Sequence, residues 1–370
     1  MKKVYFMAFI ATAALTMMSC SNDDITTVSD LSKSEATAIN FSTYLGRNVE
    51  SRAAVTSGGV KDFGVFAFYT ENTAWTSATK STPNFMNNQE VKGTQTEGTW
   101  SYSYTPVKYW PNNEGDKVSF FAYSPYDASQ AWVADEGKVG TVKYVVKGNG
   151  DVTKQEDLLV CKTSNKTIDK KKPTTKENVT FNFSHAMARI GLQVAYAKDA
   201  LTQGSDEINE DETTISVTSV KIGDKTFYAQ GYLSLTSNTV EWEGVNNISK
   251  ADYTLSKVNF TSVANKVTNE YQALNKEDSY LMVIPADVTE IPVTIIYVVT
   301  TQDPNLSEKK SEITNTITNK ATVSLEAGKA YTLKMLLGMT SVKVNATVDT
   351  WPTAITTDVN LPANTTASSN

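Results

Sequence analysis

The sequence predicts an all-β protein: two antiparallel β-sandwiches in tandem behind an N-terminal export signal. Three observations carry that expectation. Runs rich in Val, Ile, Thr, Tyr and Phe recur along the chain with turn residues between them. Beyond the signal, no window of about 15 residues shows a helical stripe. The 370 residues leave room for two or three domains at roughly 100–200 residues each, and short strands at even spacing suit sandwiches.

Composition narrows the function before any motif is read. Hydrophobic residues make up 40% and charged residues 20%, enough for a packed core. Lys and Arg number 34 against 40 Asp and Glu, a net charge of −6. That is no basic footprint for nucleic acid. His185 is the one histidine, so a histidine-rich zinc site is excluded and a Ser–His–Asp triad would have to use that residue. Binding, adhesion or structure lead the remaining classes, and no motif asks for a cofactor or a metal.

Residues 1–19 read as a signal peptide. Lys2 and Lys3 precede the apolar stretch Val4 to Met18, which at about 15 residues is shorter than the roughly 20 needed to span a bilayer. Leu15-Thr16-Met17-Met18-Ser19-Cys20 resembles a bacterial lipobox, with Cys20 as the acylated N-terminus and a lipid that anchors without spanning. Ser21-Asn22-Asp23-Asp24 follows and resembles a surface-export tag. Residues 20–36 are a polar tether. With Cys20 acylated, Cys161 has no disulfide partner, and stability rests on the core.

An N-terminal sandwich is expected over 37–176. Ile39, Phe41 and Leu45 alternate with Asn40, Ser42 and Tyr44 in its first strand, 38–45. Phe63 to Tyr69, Lys117 to Tyr123, Thr141 to Val146 and Leu158 to Cys161 are further strands, and Asp127 to Ala134 is a candidate helical turn. Asn165 to Lys176 holds five lysines and reads as an exposed connection. A C-terminal sandwich follows over 177–350. Its strands are Val179 to Phe183, Ala188 to Ala195, Ile215 to Ile222, Tyr280 to Ile284, Pro292 to Val299, Ile313 to Val323, Ala330 to Leu337 and Val342 to Val348. Residues 351–370 form a tail.

Each candidate site has a plain structural reading beside the functional one. His185 lacks a visible nucleophile and reads as a half-buried, hydrogen-bonded histidine in a strand. Cys161 reads as a small core residue. The tryptophans at 75, 100, 110, 132, 242 and 351 suit sandwich cores, and exposed ones would suit stacking on sugars. Asp206, Glu207, Glu210, Asp211 and Glu212 fit no calcium loop and read as a solvated segment. Arg47 and Arg52 stand in a polar stretch between two strong strands, where proteases cut.

Several of these pieces occur in an order that resembles the fimbrillin family of Bacteroidetes, the lipoprotein-derived subunits of type V pili. They are the lipobox at Cys20, Ile39-Asn40-Phe41 followed by the arginines, Phe63 to Ala67, Tyr109-Trp110-Pro111, Val118 to Pro125, Asp157 to Val160, Phe183-Ser184-His185-Ala186-Met187-Ala188-Arg189-Ile190, and the strand ending near Trp351. The resemblance implies two transthyretin-like sandwiches and surface display as an outer-membrane lipoprotein. It implies cleavage after Arg52 or Arg47 by an arginine-specific or trypsin-like protease, which removes the strand bearing Ile39, Phe41 and Leu45.

The vacated groove would then take a C-terminal strand of another pilus subunit, because an unpaired edge templates strand addition and a head-to-tail contact builds a filament. Val342, Val344, Ala346 and Val348 are the candidate donor, and Ile355, Val359 and Leu361 continue the pattern less regularly; the choice between 342–350 and 353–362 stays open. The competing reading is a lipid-anchored surface protein that binds glycans through the aromatic-rich first half. Neither reading is enzymatic.

Overall fold

The computed structural model describes residues 37–45, 60–111, 113, 115–135, 137–147, 154–161, 166–169, 178–196, 213–243, 250–263, 271–274, 280–285, 288–302, 305–337 and 342–350. The described residues contain strands and no α-helix. In chain order the first half gives β1 (Phe41–Leu45), β2 (Asp62–Tyr69), β3 (Met86–Thr96), β4 (Thr99–Ser103), β5 (Lys117–Ser124), β6 (Trp132–Val133), β7 (Thr141–Val145), β8 (Leu159–Cys161), β9 (Lys166–Asp169) and β10 (Val179–His185). The second half gives β11 (Ala188–Tyr196), β12 (Thr213–Tyr228), β13 (Gln230–Ser234), β14 (Trp242–Glu243), β15 (Lys250–Val263) and β16 (Gln272–Ala273). It closes with β17 (Leu281–Val283), β18 (Glu290–Gln302), β19 (Lys310–Thr322), β20 (Lys329–Leu337) and β21 (Val342–Thr350).

Four sheets result. The first runs β1-β10-β8-β5-β2-β3-β4, with β9 also on β5. Its central strands are buried on both faces, which is why β2 and β5 read as unbroken apolar runs rather than as an alternation. One face carries Phe66, Phe68, Phe121 and Tyr123 and packs with Val142, Tyr144 and Leu233 of the sheet β6-β7-β13-β14. The other carries Phe41, Phe63, Val65, Phe120, Phe181 and Phe183, closed over by Trp110, Tyr102 and Tyr104.

The remaining two sheets face each other across a single, mainly aliphatic core. One is β16-β11-β20-β21 with β17 on β11, and the other is β15-β12-β18-β19. Ile190, Leu192 and Leu333 meet Val217, Ile222, Ile295 and Tyr297 between them. Period-two alternation in β18 and β20 puts one side chain in two into this core.

The fold is all-β, as expected, and each strand expected from the sequence has a counterpart. Three local readings differ. Residues 166–169 of the lysine-rich stretch form β9, pairing Val118 with Ile168. Asp127 to Ala134 is not helical: Asp127 Oδ1 accepts from the Ser129 N–H at 2.8 Å and its hydroxyl at 2.7 Å, a turn that competes with a helix, and β6 follows.

Third, the sheets do not change at 176/177. β10 pairs with β1 and β8, because Val179, Phe181 and Phe183 fill the same core as Phe41. β13 returns to pair with β7. The chain passes from the first pair of sheets to the second at the buried Ala186 and Met187.

Candidate functional site

β1 has five residues and one ladder partner. It runs parallel to β10 in the register Phe41↔Val179, Thr43↔Phe181 and Leu45↔Phe183. Just upstream the chain binds a second rail: the Ile39 N–H donates to the Lys108 carbonyl at 2.9 Å and the Trp110 N–H to the Thr37 carbonyl at 3.0 Å. Tyr104 reinforces that rail by donating its hydroxyl to the Ile39 carbonyl at 2.8 Å.

Alternation decides what this segment contributes. Ile39, Phe41, Thr43 and Leu45 point inward, and the first three are 0%, 4% and 9% exposed. The Phe41 ring stacks on Phe181 at 5.6 Å and meets Tyr104 at 5.2 Å, with Phe63 and Phe120 edge-on at 6.1 Å. Burying one such side chain stabilises by about 1.5–3 kcal/mol. β1 is therefore an edge strand that completes an aromatic core, and its absence would bare Phe181, Phe63 and the backbone of β10 together.

Thr43 adds a polar contact at the groove floor. Its hydroxyl bonds the Tyr102 hydroxyl, and the Val60 N–H donates to the Tyr102 oxygen at 3.1 Å. Burial pushes the Tyr102 hydroxyl above its ordinary pKa. Arg47 and Arg52, on the connection from β1 to Val60, lie outside the described residues, as do Cys20, the acidic cluster at 206–212, Trp351 and the segment 353–362.

The candidate donor strand is β21. It pairs antiparallel with β20 from Lys329↔Thr350 to Leu337↔Val342 and forms an end of its sheet. Ala346 packs against the core, while Val348 is 57% exposed.

His185 ends β10 half-buried and bonds Asp157 Oδ2 through Nδ1 at 2.6 Å. Burial raises the Asp157 carboxyl, against the lowering effect of His185 and Arg189. The neighbouring backbone is clamped: Ala186 N–H donates to the Leu158 carbonyl, Trp242 Nε1 donates to the Ala186 carbonyl at 2.8 Å, and Gly328 N–H donates to the Met187 carbonyl. The pair sits where β10 meets β8, beside the register His185↔Leu159, and Asp157 was legible in the sequence only as part of the Asp-Leu-Leu-Val run.

Cys161 is buried on β8. Trp75, Trp110 and Trp132 are buried, and Trp75 and Trp132 pack on Phe68 and Phe121. Among the described residues, Tyr109 is the one aromatic among the exposed large hydrophobic side chains; most of the first half's aromatics pack in core, while Tyr44, Trp100 and Tyr126 are half-exposed.

Comparison with known proteins gives these features a family. A fimbrillin-like family model matches residues 51–351. A fimbrial protein from Bacteroides vulgatus ATCC 8482 superposes with a TM-score of 0.60 at 23% identity, covering 85% of this chain and 99% of that one. A fimbrial assembly protein from Parabacteroides distasonis ATCC 8503 gives a TM-score of 0.38 at 12% identity, over 85% and 99% of the two chains. No curated protein matches the sequence. The match over 51–351 spans most of the chain, and the protein belongs to the fimbrillin-like family.

Proposed function

We propose that the protein is a structural subunit of a cell-surface pilus serving adhesion, exported as an outer-membrane lipoprotein on Cys20 and matured by an arginine-specific or trypsin-like protease. Cleavage after Arg52, with Arg47 as the second candidate, frees β1. A C-terminal segment of another subunit then fills the groove. The observation that carries this reading is the construction of β1: a five-residue edge strand whose inward side chains complete an aromatic core. It is joined to the body by a segment holding both arginines, and the family match begins at residue 51, after β1 and just before Arg52.

Physical logic links these features. Before cleavage, β1 occupies its own groove and the subunit stays single. After it leaves, apolar surface and unpaired backbone groups attract a strand, with backbone bonds giving affinity and alternate side chains giving register. Donor and acceptor surfaces differ, so the contact propagates instead of closing.

The test is limited trypsin digestion of the full chain, followed by an unboiled denaturing gel and sequencing of the new N-terminus. A start at Ala53 or Asn48 with a ladder of multimers is the expected result. A 38–70 region that resists the protease, with no multimers, would overturn it.

A further inference from the structure

The short segment before β8 touches both pairs of sheets. Residues 156–158 are fastened to the first pair and to the crossing at 186. The Glu156 carbonyl accepts from the Tyr144 hydroxyl at 3.3 Å, and its carboxylate accepts from Lys147 Nζ at 2.6 Å. Asp157 bonds His185 at the end of β10, and the Leu158 carbonyl accepts from the Ala186 N–H at 2.7 Å. Gln155 reaches the other way. Its Oε1 accepts from the Met282 N–H at 2.8 Å, and its Nε2 donates to the Met282 carbonyl at 3.0 Å.

Met282 is the middle residue of β17, a three-residue strand of the second pair of sheets. Among the described residues β17 has one ladder partner, β11, in the register Arg189↔Met282. Both backbone groups of Met282 turn from β11 toward Gln155, where a further strand would lie. A carboxamide offers the donor and the acceptor of a peptide group, so one side chain completes that edge. Apolar contact also crosses here: Met282 and Ala330 lie against the cluster that holds Leu158, Met187 and Ile284. Apolar burial has no direction, whereas two hydrogen bonds to one residue fix where β17 sits. The crossing is pinned from a further side by Gly328, at φ +70°, where an added Cβ would lie 3.4 Å from the His185 carbonyl oxygen.

We propose that Gln155 couples the two sandwiches into one cooperative unit by standing in as a ladder partner for β17 on a segment fastened to the first sandwich. Domains of one chain move relative to each other by default unless their interface is large and apolar. Here a loss of packing in the second sandwich loosens β17, and through Gln155 it loosens residues 156–158 and the β8 edge they lead into. Gln155 and β17 are both present in the uncut chain, so the coupling is independent of strand exchange.

Native-state hydrogen exchange of the full chain, read by mass spectrometry, follows each sandwich separately. The slowest amides of β2 and β5 report on the first, and those of β18 and β20 on the second. Leu333 is buried in the second core. In the otherwise unchanged chain, Leu333→Ala is expected to lower protection about thirtyfold or more in both sets alike. In a Gln155→Ala background it should keep its effect on β18 and β20, while its effect on β2 and β5 shrinks by about tenfold or more. Should Gln155→Ala fail to fold, Gln155→Glu keeps the acceptor for the Met282 N–H, loses the donor to the carbonyl, and is expected to show the same shrinkage. An effect of Leu333→Ala confined to the second sandwich in the unchanged chain overturns the coupling. Equal transmission with and without Gln155 overturns the role of this side chain and assigns the coupling to apolar contact alone.

Discussion

β1 and β11 open the first and second sandwiches in the same manner and are held very differently. Each lies parallel to a strand from much later in the chain, β10 for β1 and β20 for β11. β11 pairs with β20 over eight residues, from Arg189↔Ala330 to Tyr196↔Leu337, and carries β16 and β17 on its other edge. It is interior, and its removal would divide the sheet. β1 has ladder bonds on one edge for five residues, with only the bonds to 108–110 beyond. The comparison teaches that burial and removability are separate properties. Phe41 and Leu192 are both buried, but only β1 can leave without unpairing two neighbours. A strand meant to be exchanged needs a buried face and a poorly bonded edge.

Substitutions can break or sharpen that contrast. Phe41→Ala should have the largest effect, about 3–5 kcal/mol lost from the uncut protein, measured by urea unfolding. It should also speed release of the cleaved strand, and a loss below about 1 kcal/mol would contradict the role given to the Phe41 ring. Leu192→Ala should cost about 2–5 kcal/mol without changing how the cut first strand is retained on size-exclusion chromatography. Equal effects on retention from both substitutions would erase the distinction.

Trp242→Phe removes the bond to the Ala186 carbonyl at the crossing between sandwiches and should cost about 1 kcal/mol, again by urea unfolding, with retention of β1 unchanged.

The smallest effect is a pH slope. Burial raises the folded-state pKa of Asp157 above the ordinary carboxyl range, so the folded protein takes up this proton at higher pH than the unfolded chain. The contribution favours folding below the unfolded value and is lost as pH rises through the folded one. Melting temperatures measured from pH 6 down to about pH 3.8 should therefore fall more steeply in Asp157→Asn than in the unchanged chain. Parallel curves would show that Asp157 titrates alike in both states.

Much of the fold was legible because β-strands announce themselves through composition and alternation. The runs at 63–69 and 117–123 are apolar on both faces, and the structure buries them on both. Strands β3 and β4 were not legible. Met86 to Thr96 is polar and mostly half-exposed or exposed, with Met86 and Val91 as its buried anchors, so no apolar stripe marks it. β9 hides in a lysine-rich stretch for the same reason.

Of the candidate site, the inward residues Ile39, Phe41 and Leu45 were readable from period two. The rail at 108–110 and the contact of Thr43 with Tyr102 were not, since they join residues 59 to 73 positions apart and no local pattern encodes such a distance.

The sequence by itself determined the all-β class and the faces that strands turn inward. These depend on local alternation and composition, which act over a few residues. Only the tertiary structure decided that β10 belongs with β1, that β13 returns to β7, and that β1 sits at an edge while β11 sits inside. Alternation fixes which side of a strand is buried and carries no information about which strand lies beside it. That choice is made by the fit of Phe41, Phe63, Phe120 and Phe181 into one core, a property of packing in three dimensions.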